Sequence, residues 1–329
     1  MSASILACMR GAGAALAFTI AFALVSTGLN AWAPFPEVPV VRAKLAYLAR
    51  HAADYDAVFI GSSRVQFQVI PALFDAAAKT RSFNLGVAGM VPPESFYFLR
   101  RVLELRLPRL KWIFIELADL DPVNLRNAGS ARAAYWHDAR HTLIACRDLL
   151  RSSRSTEAKL ATLGEHLRLF GERTAGIGRG ATLLAQRVLP PARKDPEAAW
   201  LEREGFKPAP AVPLNPKQLA RIQACLAELQ GGARPLVRLR PVYREGLEEL
   251  IAEIRHAGAE PIFFIAPTFD WRERLTGLPG GVRLLTFDDE ARFGALLDPQ
   301  YFCDTVHLNE RGAALFTAAL AEQFSSTPR

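Results

Sequence analysis

No G-x-S-x-G pentapeptide occurs anywhere in the 329 residues, which argues against the common α/β-hydrolase nucleophile elbow. Cysteine is scarce. Cys8, Cys146, Cys225 and Cys303 are the four, none at a metal-ligand spacing, so no thiolate metal site is read here. Cys146 and Cys225 could pair in an oxidising compartment, but both fall in helical pattern and burial is the preferred reading. The net charge is +7, from 40 Lys and Arg against 33 Asp and Glu. No dense basic cluster interleaved with aromatics accompanies it, and no recognition motif, so nucleic acid is not expected as a partner. The surplus favours anionic surfaces such as phospholipid or acidic glycan, over a background of solvated charge.

Two short motifs imitate cofactor sites. "GIGRG" at 176–180 lacks a preceding strand and has the wrong glycine spacing for a dinucleotide. "HDARH" places His137 and His141 one helical turn apart, as in zinc peptidases. Aspartate stands where their catalytic glutamate sits, and no third ligand is evident. Packing, or lining a cleft near the end of the third strand, is the preferred role for these histidines. Neither a metal nor an organic cofactor is expected.

Half of the residues are apolar, enough for a full core in one large domain or a domain with an insertion. From Gly11 to Leu29 the chain runs 19 residues without a charge, preceded by Arg10, long enough to span a bilayer. A signal peptide is the rival, because "AWA" at 31–33 imitates a cleavage site. Pro34 would then be the first mature residue, which disfavours cleavage, so an uncleaved anchor over 1–33 is preferred. Cys8 precedes the apolar run instead of following it, and is not a lipid site. Arg10 on one side and Arg42 and Lys44 on the other leave orientation undecided by charge. A short tail before an apolar segment favours export, so the expectation is a single-pass membrane protein with a periplasmic or otherwise extracytoplasmic domain.

A Pro-rich spacer, "APFPEVPVV", opens a linker and lead-in over 34–55. Near-continuous apolar runs then read as buried strands: 57–61, 82–86, 111–117, 260–267 and 282–288. Helical spacing over 65–79 and 93–107, and in a last helix within 309–324, separates or follows them. Strands alternating with helices of this length predict an α/β domain over 56–329 with right-handed crossovers and a parallel sheet. Residues 122–256 break the rhythm. Helical segments near 136–151, 155–170, 216–230 and 242–257, with seven prolines between Pro190 and Pro216, predict a mostly helical insertion whose Pro-rich part is extended.

Chemistry in an open parallel sheet collects beyond the carboxyl ends of its strands. "GSSR" follows the first strand, "NLGVAG" (84–89) the second and "ELADLD" (116–121) the third, while "DTVHLN" (304–309) precedes the last helix. Acyl transfer needs a hydroxyl, an imidazole to take its proton, a carboxylate to orient the imidazole, and amides facing the oxyanion. Asp304 and His307 are three apart, so one short loop can present both. Taken alone, Ser63 with Gln66 is an S-x-x-Q capping box, Asp304 can cap a turn, and Gly86 and Gly89 can be plain turn glycines.

Together these blocks resemble the SGNH/GDSL hydrolase superfamily, especially its membrane-anchored bacterial envelope members. "FIGSSR" is similar to the first block, with Ser62 in place of the usual aspartate and Ser63 in the nucleophile position. "NLGVAG" is similar to the second block, whose final glycine, Gly89 here, supplies an oxyanion-hole amide. "DTVHLN" matches the D-x-x-H block. The resemblance implies Ser63, Asp304 and His307 as catalytic residues, and the amides of Ser63 and Gly89 as the oxyanion hole. Ser62, Arg64, Asn84, Asp119 and His137 are candidate pocket residues. One block departs: "ADLD" puts Leu120 where the family has an asparagine donor, and loss of one such donor can cost about 10²–10³ in rate.

The implied fold is a flavodoxin-like three-layer α/β/α sandwich on an N-terminal transmembrane helix. The implied activity is that of a serine esterase or acyltransferase on O-acyl, chiefly O-acetyl, groups of an envelope or extracellular polysaccharide. The partners would be an acylated glycan or small ester, the membrane, and membrane proteins. The alternative is a catalytically impaired scaffold of the same fold that binds glycan or assembles a membrane complex.

Overall fold

The computed structural model describes residues 3–32, 38–117, 131–176, 198–210, 212–231, 236–269, 274–287 and 290–326, with positions 125, 127 and 129. Along the chain, α1 (Ala3–Trp32) and α2 (Pro39–Arg50) precede β1 (Ala57–Ile60). Next come α3 (Ser63–Gln68), α4 (Pro71–Ala78), β2 (Ser82–Asn84), α5 (Glu94–Glu104) and β3 (Trp112–Glu116). The helices α6 (Ala131–Tyr135), α7 (Ala139–Arg151), α8 (Thr156–Ala175), α9 (Ala198–Leu201) and α10 (Pro216–Gly231) follow. The chain continues through β4 (Leu236–Arg238), α11 (Pro241–His256), β5 (Glu260–Phe264), β6 (Arg274–Thr276) and β7 (Arg283–Leu285). It ends with the short α12 (Glu290–Phe293) and the long α13 (Glu310–Ser326).

These elements form two compact units. One joins Met1–Val38 to Asn127–Arg193, the other joins Pro39–Arg126 to Lys194–Arg329. The second unit holds an all-parallel five-stranded sheet in the order β2-β1-β3-β5-β7, with Ala57 opposite both Ser82 and Trp112. Counted within that sheet alone the order is 2-1-3-4-5, so the winding reverses between β1 and β3. Crevices for ligands open at such a reversal, beyond the strands' carboxyl ends.

Both sheet faces are buried, as the unbroken apolar runs predict. Phe59, Phe114, Ile262 and Phe264 point to one face, beneath Val65, Val69, Phe74, Phe316 and Leu320 of α3, the α3–α4 joint, α4 and α13. The Phe59 and Phe114 rings stack at 4.4 Å, and Phe74 meets Phe59 edge-on at 4.9 Å. On the other face Phe83 stacks on Tyr47 of α2 at 5.4 Å. Burying a side chain of this size contributes about 1.5–3 kcal/mol.

Several expectations need correction. The helix read over 65–79 is two helices. Pro71 has no N–H to donate and drives Ile70 out of the helical region, to φ −100° and ψ 101°. The lead-in read as a linker over 34–55 contains α2, whose Val41, Leu45 and Leu48 are buried. The insertion read as 122–256 is divided. Residues 127–193 belong to the first unit, while α10 places Ile222 and Cys225 in the sheet's core and α11 buries Leu247, Leu250 and Ile254. A two-stranded parallel sheet of β4 and β6 was not foreseen, because three-residue strands are too short to show a period. Cys146 and Cys225 are both free thiols, Cys225 being the buried one of the two.

In the first unit, α7 packs on α8, and α8 also contacts α1 and α6. Helix α1 is long and apolar enough to cross a membrane over Gly11–Gly28. Leu16, Phe18, Ile20, Phe22, Leu24 and Val25 on it are exposed, and Ser26 is buried. Ala33 and Pro34 of the cleavage-site look-alike, residues 177–180 of "GIGRG" and the prolines between 190 and 197 lie outside the described residues.

Candidate active site

Apolar β1 ends at Gly61, where the chain turns tightly. A Cβ on Gly61 would lie 2.5 Å from both Glu116 Oε2 and Val65 Cγ2, so a side chain there would have to displace the end of β3 or the start of α3. Ser62 has extended backbone and caps α3, its Oγ accepting the Arg64 N–H at 3.2 Å. The capping residue is therefore Ser62, not Ser63. Ser63 becomes the first helical position, half-buried, with its hydroxyl unclaimed by the helix. Gln66 does not close a capping box either, since its Oε1 accepts the Ala88 N–H at 3.1 Å.

Beneath the turn lies an ion pair that the sequence reading missed. Glu116 Oε1 is 2.6 Å from Arg64 Nε, and Glu116 Oε2 accepts the Ser62 N–H at 2.6 Å. Both side chains are buried, and deleting one partner of such a pair costs about 3–5 kcal/mol because the other charge is left uncompensated. The signal was present in "KWIFIEL": an acidic residue at the carboxyl end of a buried strand needs a partner.

The second block is pinned from three sides. Leu85 and Val87 donate backbone N–H to Phe59 O and Gly61 O at 2.8 and 3.0 Å. Asn84 is fully buried and wholly used: Nδ2 donates to Val65 O and Val69 O at 2.7 Å each, and Oδ1 accepts the Gly86 N–H at 2.9 Å. A Cβ on Gly86 would lie 2.3 Å from Gln66 N. Lys44, buried on α2, donates to Asn84 O, Gly86 O and Gly205 O at 2.7–2.9 Å. Nothing in the local sequence announced this lysine, because its three acceptors come from two distant segments.

The last block supplies the other half. Asp304 Oδ1 accepts the N–H groups of Val306 and His307 at 2.7 Å each, and Oδ2 accepts from His307 Nδ1 at 2.7 Å. His307 Nε2 lies 2.7 Å from Ser63 Oγ. An ionised carboxylate only accepts, so Nδ1 carries the imidazole proton and Nε2 offers its lone pair to the serine hydroxyl. Burial alone would raise the Asp304 carboxyl, but the His307 side chain and the two amides outweigh it and hold the group below its usual range. The loop is tied to the serine helix by Gln68 Nε2, which donates to Val306 O at 3.1 Å. Phe67 meets the His307 ring edge-on at 5.3 Å.

Ser63, Asp304 and His307 are thus brought together across 244 residues of sequence. The N–H groups of Ser63 and Gly89 have no acceptor among the described residues, and Gly89 adopts φ +71°, a conformation that suits glycine. Ser62, Arg64 and Asn84, expected to line a pocket, instead lie buried beneath the turn with their polar atoms engaged. His137 is fully buried in the first unit, where Nδ1 donates to Ala133 O at 2.6 Å and Nε2 meets His166 Nδ1 at 2.9 Å. It precedes α7, whose N-cap is Asp138, so His137 and His141 do not share a helical turn. Among the described residues no group of three or more metal-ligating side chains occurs. Asp119 and Leu120 lie outside the described residues.

Comparison with protein-family models, with curated proteins and with solved structures finds no match for this chain.

Proposed function

We propose that the sheet unit is an SGNH-type serine esterase or acyltransferase acting on O-acyl groups. The observation that carries this reading is the continuous chain of 2.7 Å contacts from Asp304 through His307 to Ser63 Oγ. His307 Nε2 takes the hydroxyl proton as Ser63 attacks the ester carbonyl, and the imidazolium that forms is stabilised by Asp304. The uncommitted amides of Ser63 and Gly89 receive the oxyanion. His307 then returns the proton to the leaving alcohol, and an acyl-serine passes its group to water or a sugar hydroxyl. The 2-1-3-4-5 strand order supports a flavodoxin-like α/β/α sandwich. The exposed apolar face of α1 supports a membrane anchor, and with it an extracytoplasmic envelope glycan as the acyl carrier.

A second reading, an impaired scaffold of the same fold, is favoured by one feature: Leu120 stands where an oxyanion donor would be. Hydrolysis of p-nitrophenyl acetate separates the two. The enzyme reading expects turnover that Ser63→Ala abolishes. Folded wild-type protein with no Ser63-dependent turnover would favour the scaffold.

A further inference from the structure

The turn after α9, Glu202–Lys207, is bonded through its backbone to the serine helix and to the end of β2. Lys207 N–H donates to Gln66 O at 3.0 Å, and Glu204 O accepts the Asn84 N–H at 2.8 Å. Gly205, at φ +82°, is fitted so closely that a Cβ would lie 2.2 Å from Asn84 O. The turn carries two cations with different surroundings. Arg203 is ion-paired with Glu310 at 2.7 Å. Lys207 has no carboxylate partner among the described residues. Its ammonium instead lies 4.1 Å from the centre of the Trp200 ring and 5.6 Å from that of Phe67. Phe67 is the residue that meets the His307 imidazole.

A half-buried ammonium is therefore held between two aromatic faces, one ring away from the base of the triad. Cation–π contacts orient a lysine without neutralising it, so its charge stays available to a third group. Trp200, Phe67, Lys207, Ser63 and His307 are all partly accessible. A fixed cation beside flat apolar faces is how a site orients a ligand that has both a ring and an acid group.

We propose that Lys207 is a specificity-determining residue that binds a carboxylate or phosphate of the substrate, so that this site takes acyl esters carried by acidic sugar units. This inference rests on the Ser63 reading above. The ammonium donates charge-assisted hydrogen bonds to the acid group while the rings of Trp200 and Phe67 cover the sugar face. The acyl oxygen is thereby presented to Ser63.

Three esters with a common leaving-group frame test it on the full-length protein: phenyl acetate, 4-acetoxybenzoate and 4-acetoxyphenyl phosphate. The quantity read is the ratio of kcat/KM for each anionic ester to that for phenyl acetate. Lys207→Gln is expected to lower this ratio about tenfold through KM, as loss of a charge-assisted bond should, and Lys207→Arg to keep it. Raising ionic strength should lower the ratio in the wild type and leave it flat in Lys207→Gln. The arm with the larger loss identifies the acid group as carboxylate or phosphate. Ser63-dependent cleavage of all three esters with an unchanged ratio overturns the Lys207 assignment alone. Equal loss of kcat on all three overturns it too, by giving Lys207 a role in the chemical step. Absence of any Ser63-dependent cleavage overturns both readings.

Discussion

A serine hydroxyl is a poor nucleophile until a base shares its proton, and the base must present the correct nitrogen. Asp304 secures this with both oxygens: Oδ2 fixes the Nδ1–H of His307, while Oδ1 locks the loop through two backbone amides. Asp304→Asn keeps the size but offers an N–H₂ where a lone pair is needed, so the other tautomer of His307 faces Ser63. We expect kcat on a small ester to fall by about 10²–10⁴ with KM little changed. A loss under tenfold would contradict the assigned role. The sign of the accompanying pH effect follows from the lowered Asp304 carboxyl. Its stabilising contribution is present above the unfolded carboxyl value near ~3.9 and is lost as pH falls through the folded one. At this scale Asp304 and His307 are legible as one short local pattern, whereas joining Ser63 to them, 244 positions from His307, rests on the resemblance in the order of the blocks. Which serine caps α3 was not legible, because one residue of register at Gly61–Ser62 is decided by Glu116, over fifty positions away. Lys44, Gln66 and Lys207 were illegible for the same reason: each acts on a segment distant in sequence.

Helices and strands carry a second set of consequences. The five sheet strands could be read because each lies in a mostly apolar run, with polar Ser82, Asn84, Glu116, Glu260 and Arg283 as the exceptions, whereas β4, at three residues and largely exposed, carries no such signature. In the helical unit, α8 supplies His166 to a buried pair with His137. His137 Nδ1–H is donated to Ala133 O, so its Nε2 accepts from the Nδ1–H of a neutral His166. Burial is the main cause that pushes His137 down to about 3 and His166 down to about 4. The unfolded chain therefore binds protons first as pH drops. Full stability is present above the unfolded value near ~6.5 and is lost below it at about 1.4 kcal/mol per pH unit for each imidazole. Hydrogen exchange of peptides from 131–175, corrected for intrinsic rates, should show protection falling between pH 7.5 and 5.5. His166→Leu should flatten that dependence. Protection that rises or stays constant in the wild type over this range would contradict the neutral pair.

At the scale of the whole molecule, the sequence suggested an anchor, a linker and one domain with a single long insertion. The structure instead groups Lys194–Arg329 with the sheet unit, and α1 with 127–193. Composition could not reveal this division, because both halves of the insertion have the same amphipathic helical pattern. What decides it is that Ile222 and Cys225 find the sheet's core. The exposed run from Leu16 to Val25 gives a prediction at this level. A helix with its apolar side chains presented to solvent loses about 25 cal/mol for every Å² so exposed, and a bilayer removes that cost. The full chain should stay in the membrane pellet after alkaline carbonate, and a chain lacking residues 1–32 should be released. Equal release of both would contradict the anchor.

The central claim is that Ser63 is a nucleophile activated by His307, and an intact-mass measurement after exposure to a fluorophosphonate tests it most directly. The account predicts a single phosphonyl adduct on the peptide holding Ser63. It should be absent in Ser63→Ala and formed far more slowly in His307→Ala. Wild-type protein that is folded yet acquires no adduct, or acquires it equally in Ser63→Ala, would contradict the account.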